Sequence, residues 1–165
     1  MDRDDRLADF SSRGPRVGDD GIKPDITAPG VDIVAARAAG AVIGEPVGEK
    51  YLTLSGTSMA TPHVVGSVAL LAQQHPDWSA GQFKATLMAS AKPHPAQTAY
   101  QQGAGRVDVA RAVSQQVISD PVSVSFGRAL WPHGDDQPIT RTVTWRNPGA
   151  TALTLDLTAE VTGPN

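Results

Sequence analysis

The stretch GTSMATPH, Gly56 to His63, holds one hydroxyl where a nucleophile would stand. Ser58 lies between a short apolar, β-like run, Tyr51 to Leu54, and a long helical pattern reaching about Gln74. Gly56 is placed to turn the backbone sharply, which puts Ser58 in the first turn of the helix. The first N–H groups of a helix have no internal partner. With the macrodipole they favour the negative oxygen that forms when a hydroxyl attacks a carbonyl. The small neighbours Gly56, Thr57 and Ala60 leave room for the backbone of a substrate. The chemistry implied is acyl transfer.

This octapeptide resembles the catalytic-serine segment of the subtilisin-like serine proteases, the subtilases. The surrounding text agrees: FSSRGP at Phe10 to Pro15, KPDITAPGVDI at Lys23 to Ile33, HPDWS at His75 to Ser79 and GAGRVDVARA at Gly103 to Ala112. The likeness covers roughly residues 1 to 115, in the order of the C-terminal part of that family's catalytic domain. It implies a serine endopeptidase acting on polypeptides through an acyl-enzyme on Ser58, with the Ser58 N–H and the Thr57 hydroxyl supporting the oxyanion. It also implies that Ser55 and Gly56 lie against the substrate, with Leu54 beside them, and that the protein works outside the cell.

The same resemblance exposes a gap. Subtilases order their triad Asp, His, Ser, so the acid and the base should precede Ser58. The four histidines are His63, His75, His94 and His133, all after it. His63 follows Ser58 by five positions, an advance of about 7.5 Å along a helix and a rotation off the serine's face. It is expected to be structural. No segment matches the family's oxyanion asparagine either. By content, therefore, residues 1 to 165 are expected to be inactive alone and to need an amino-terminal part of a catalytic domain as partner.

The elements that would hold Ser58 can be read from periodicity. Val64, Val68 and Leu71, with Val65, Ala69 and Ala72 beside them, form a broad apolar stripe on the first helix. With Thr57 as N-cap, Pro62 is expected to distort the first turn. Ser79 and Gln82 form a capping box for a second helix, Ala80 to about Ser90, with Trp78 stapled on Phe83. Asp108 caps a third, short helix through Val113. Residues 1 to 50, rich in Gly, Pro and Asp, predict loops and short strands at the edge of a parallel sheet. From Asp120 the spacing changes to alternation at Val122 to Phe126, Ile139 to Trp145 and Leu153 to Val161, which predicts three half-buried antiparallel strands.

The fold class expected is thus α/β: residues 1–117 as the C-terminal portion of a subtilisin-like parallel-sheet domain, and residues 118–165 as a partial all-β segment. That segment resembles the start of an immunoglobulin-like or fibronectin-III-like module. A complete sandwich needs about seven strands and about 100 residues. Unpaired strand edges and apolar helix faces predict aggregation or a molten state for the isolated chain.

Composition narrows the function classes. The 165 residues are 40% hydrophobic and 19% charged, enough for a core. A net charge of −3 without a basic cluster argues against nucleic acid, and no apolar run is long enough for a bilayer. MDRDDRLADF lacks the cationic-then-apolar pattern of a secretory signal. The absence of cysteine excludes disulfides, thiolate metal sites and a cysteine nucleophile. No carboxylates show the spacing of a calcium loop, so no metal or other cofactor is assigned. Two other functions fit parts of the chain. A non-catalytic fragment could use its β-module for adhesion or assembly. An α/β-hydrolase esterase could use Gly56-Thr57-Ser58-Met59-Ala60 as a degenerate nucleophile elbow, but leaves KPDITAPG and GAGRVDVARA unexplained.

Overall fold

Helix α1, Thr57–Gln74, carries the centre of the structure, a computed structural model that describes residues 1–2, 4–159 and 161. Its Leu71 is fully buried, with Val64 and Val68 half-buried on the same side. Together with Ala28, Leu87, Val107 and Ala112 they form the core. The adjacent row behaves differently from the expected broad stripe: Val65 is 61% exposed and Ala69 is exposed too, while Ala72 is half-buried. One side of α1 packs and the other faces outward. Pro62 does not break the helix. It has no N–H to give the Ser58 carbonyl, and the side chains of Thr61 and His63 attach to the neighbouring carbonyls of Thr57 and Met59, at 3.0 and 2.8 Å.

Helix α2, Ala80–Ser90, begins as its sequence predicts. The Ser79 hydroxyl accepts the Gln82 backbone N–H while the Gln82 side-chain Oε1 accepts the Ser79 N–H, a reciprocal capping box. Trp78 packs on Phe83 with ring centroids 5.6 Å apart and stacks on His75 at 3.8 Å. A short helix absent from the expectations, α3 (Ala99–Gln102), starts with a second capping box, Thr98 with Gln101. Its pattern was too short to show a period. The expected Asp108 cap is present: α4, Val109–Ala112, has its Arg111 N–H bound to the Asp108 carboxylate at 3.1 Å.

Strands β1 (Ile33–Ala36), β2 (Glu45–Val47) and β3 (Tyr51–Leu54) form a sheet in the order β1-β3-β2. Ile33 faces Leu54 and Val47 faces Tyr51, both in antiparallel register. Pro46, which cannot donate to a ladder, sits on an edge strand. The expected parallel sheet is therefore not what these strands make. The turn between β2 and β3 is too short for the crossover that parallel neighbours need. Parallel pairing among the described residues is seen at the Thr27–Arg106 bridge. Met1 continues it on the other side, its amine donating to the Ala28 carbonyl and its carbonyl accepting from Gly30 N–H, both at 3.0 Å.

The GAGR segment earns its glycines here. Gly103 and Gly105 both have positive φ, and a Cβ on either would lie within 2.5 Å of the backbone of Pro24 or Lys92. Arg106 Nε meets Asp5 at 2.6 Å and Lys92 meets it at 3.3 Å, so one carboxylate ties the first loop to the 92–106 bridge.

Beyond residue 117 the alternating pattern is only partly realised. Strand β4, Ile118–Asp120, pairs antiparallel with β5, Thr144–Arg146, and packs on α2. The expected strand at Val122 to Phe126 forms no ladder, and neither do residues 153–159 of the third. Glu160, within that third segment, and residues 162–165 lie outside the described residues. Alternation supplies a face, but a strand also needs a neighbour to accept its backbone hydrogen bonds. An immunoglobulin-like sandwich is not what the described residues form. Besides packing on α2 through β4, the segment meets Asp20, whose carboxylate pairs with Arg128 at 2.9 Å.

Candidate active site

Ser58 stands where its sequence context predicts, exposed, in the first turn of α1 and just after the end of β3. The N-cap is Gly56 rather than Thr57, and no side chain caps the helix among the described residues. Met59 N–H turns back to the Gly56 carbonyl at 3.0 Å. Thr57 and Ser58 N–H groups are left at the open, positive end of an 18-residue helix. Such an end favours negative charge. Thr57 is exposed as well.

The chain bends at Gly56, as its sequence context predicts, yet this glycine needs no left-handed conformation. Its φ of 166° is extended, and a Cβ there would meet Met59 Sδ at 3.4 Å, an ordinary contact. The crowded glycine is Gly30, which the sequence alone did not single out. A Cβ on Gly30 would lie 2.8 Å from the Gly56 carbonyl oxygen and 3.1 Å from Ala60 Cβ. Gly56 N–H also donates to the Gly30 carbonyl at 2.8 Å. The APG loop is thus pressed directly against the serine turn. A cleft of about 280 Å³ opens along this contact, lined among others by Phe10, Ser12, Gly30, Gly56, Thr57 and Thr61.

Ser55 is exposed, but its hydroxyl is engaged. It accepts the Asp32 N–H at 2.8 Å and donates to the Asp32 carboxylate at 3.3 Å. Among the described residues, no imidazole hydrogen-bonds to Ser58. His63 Nδ1 binds the Met59 carbonyl at 2.8 Å, and since a carbonyl only accepts, that nitrogen carries the proton. His75 stacks on Trp78, His94 Nδ1 accepts Ala96 N–H at 3.2 Å and His133 pairs with Asp136 at 2.9 Å. The structural role expected of His63 matches this geometry. Asp25 is likewise committed. Burial pushes its carboxyl up, but the ammonium groups of Lys23 and Lys84 outweigh burial and hold it below the usual range.

A family model described as the subtilase family, Peptidase S8, matches residues 1–105, well over half of the chain. The chain belongs to the subtilase family. Among relatives of this subtilase segment, the subtilisin-like protease SBT4.14 of Arabidopsis thaliana is 40% identical over 139 residues, 78% of this chain and 18% of that protein. The minor extracellular protease Vpr of Bacillus subtilis (strain 168) is 39% identical over 142 residues, 80% of this chain and 17% of that protein. The subtilase chain therefore spans less than a fifth of the length of these relatives. Among solved structures, fervidolysin from Fervidobacterium pennivorans, a keratinolytic enzyme related to subtilisin, overlays 55% of this chain and 16% of its own at a TM-score of 0.46 and 25% identity. No helix among the described residues is long and apolar enough to cross a membrane.

Proposed function

We propose that Ser58 is the nucleophile of a serine endopeptidase and that residues 1–117 supply its half of a catalytic domain. The observation that carries this reading is an exposed serine hydroxyl at the uncapped, positive end of α1, in a chain of subtilase membership. Ser58 Oγ attacks the scissile carbonyl as its proton passes to a histidine. The oxyanion faces the Ser58 N–H, with the Thr57 hydroxyl in support. Collapse expels the amine with that proton and leaves an ester on Ser58, which water then hydrolyses. Gly56 and Ser55 border the substrate backbone.

The histidine comes from outside residues 1–165, because the imidazoles here are held elsewhere. An aspartate outside these residues would fix its tautomer. Residues 1–165 alone are then inactive. In a subtilisin, removing serine or histidine alone costs about 10⁶ in turnover. The segment 118–165 is read as the beginning of a β-module, and the protein as extracellular, as the name of the Bacillus relative says of that protein.

A fluorophosphonate serine probe tests this. The chain by itself should not label measurably. Fused behind the amino-terminal part of a relative's catalytic domain it should label, and Ser58→Ala should abolish the signal. Rapid stoichiometric labelling of the chain alone, or equal labelling of the folded alanine fusion, overturns the reading.

A further inference from the structure

We propose that Asp32 and Ser55 are a positioning pair for Ser58, an inference that rests on the reading of Ser58 as nucleophile. The β1–β3 register places Ile33 opposite Leu54. One step beyond, the ladder slips, because Gly56 N–H reaches the Gly30 carbonyl at 2.8 Å. Val31 and Asp32 together therefore face the single residue Ser55, the arrangement of a β-bulge. Asp32 sits in the left-handed region at φ 53°, which aspartate tolerates better than most side chains.

The bulge turns the Asp32 amide away from a backbone partner, and the Ser55 hydroxyl takes that partner's place at 2.8 Å. The same hydroxyl donates to the Asp32 carboxylate at 3.3 Å. One serine side chain thus closes the bulge from both ends of Asp32. The closure lies between the last ladder pair of β3 and the Gly30–Gly56 contact, so it sets the direction in which the chain leaves the sheet. Ser58 follows within the first turn of α1. Bulges beside active sites re-aim a side chain, and here the residue re-aimed is the nucleophile. Ser55 acts through the backbone, by holding Asp32.

The test has two readouts. On the chain as it stands, Ser55→Ala should remove exchange protection from the Asp32 and Gly56 amides and move the Ser58 backbone resonance, while Ser55→Thr restores both. Ser79→Ala, which weakens the fold far from Ser58, should move neither. In the fusion that supplies the histidine, Ser55→Ala should slow fluorophosphonate labelling roughly ten- to a hundred-fold, the scale on which a misplacement of about 1 Å acts, with Ser55→Thr recovering the rate. An unmoved Gly56 amide and Ser58 resonance in Ser55→Ala, an equal response in Ser79→Ala, or an unchanged labelling rate overturns the pair. If the folded parent fusion does not label at all, the reading of Ser58 falls, and the amide readout still decides whether the pair holds the turn.

Discussion

The Gly30 and Gly56 backbones touch on both sides: the Gly56 N–H binds the Gly30 carbonyl at 2.8 Å, while a Cβ on Gly30 would come within 2.8 Å of the Gly56 oxygen. Two loops distant in sequence are joined at the base of the serine turn. The atom that would be struck is backbone and cannot swing away as a side chain could.

Gly30→Ala should consequently destabilise by about 1–3 kcal/mol, the range for forcing a methyl into a packed site. Gly56→Ala meets only an ordinary contact and should cost the fold less. Thermal denaturation of the two variants checks the order, and a Gly56→Ala protein that melts below Gly30→Ala contradicts it.

Leu71 is fully buried on the packed side of α1. Leu71→Ala should cost about 2–5 kcal/mol. Val65→Ala, on the outward row at 61% exposure, should change stability within about 0.5 kcal/mol. Denaturant titration of both variants separates a helix packed on one side from one packed all round.

Loss of the Ser79 hydroxyl should unpick the capping box at the start of α2. Ser79→Ala is expected to cost about 1 kcal/mol. Ser79→Asp, which keeps an acceptor at the N-cap, should recover most of it. Equal melting temperatures for Ser79→Ala and the parent would remove the cap from the account.

Asp19 is held well below the usual carboxylate range, at about 2, first by the Arg16 guanidinium and then by the Gly21 N–H. A depressed folded value means the contact stabilises above the unfolded value near 3.8 and is lost as pH falls through about 2. Arg16→Ala should raise the Asp19 midpoint toward 3.8 in an NMR pH titration. A midpoint that does not move assigns the shift to the turn's amides instead.

Much of the site was legible before the structure because its signals are local. The start of α2 is written in Ser79 and Gln82, the staple in Trp78 and Phe83, and α4 in Asp108, each a matter of a few residues along one chain. The position of Ser58 followed in the same way from an apolar run, a glycine and a helical period. Helix α3, no shorter than α4, was missed because its Thr98–Gln101 capping signal is not followed by an apolar run. The strands expected after Asp120 failed for another reason. Alternation marks a side-chain face, whereas a ladder requires a partner that only the whole fold supplies, and Thr144–Arg146 found one in Ile118–Asp120.

By itself, then, the order of residues determined the span of α2, the caps of α2 and α4 and which hydroxyl stands at the end of α1, since backbone capping and apolar periodicity act over three or four positions. Tertiary structure alone decided that α1 packs on one row rather than two, that the sheet beside it is antiparallel, that Gly30 supports the serine turn and that Ser55 spends its hydroxyl on Asp32. The Gly30–Gly56 and Asp32–Ser55 contacts join groups more than twenty positions apart that compete for the same space and the same hydrogen bonds, which no local pattern encodes.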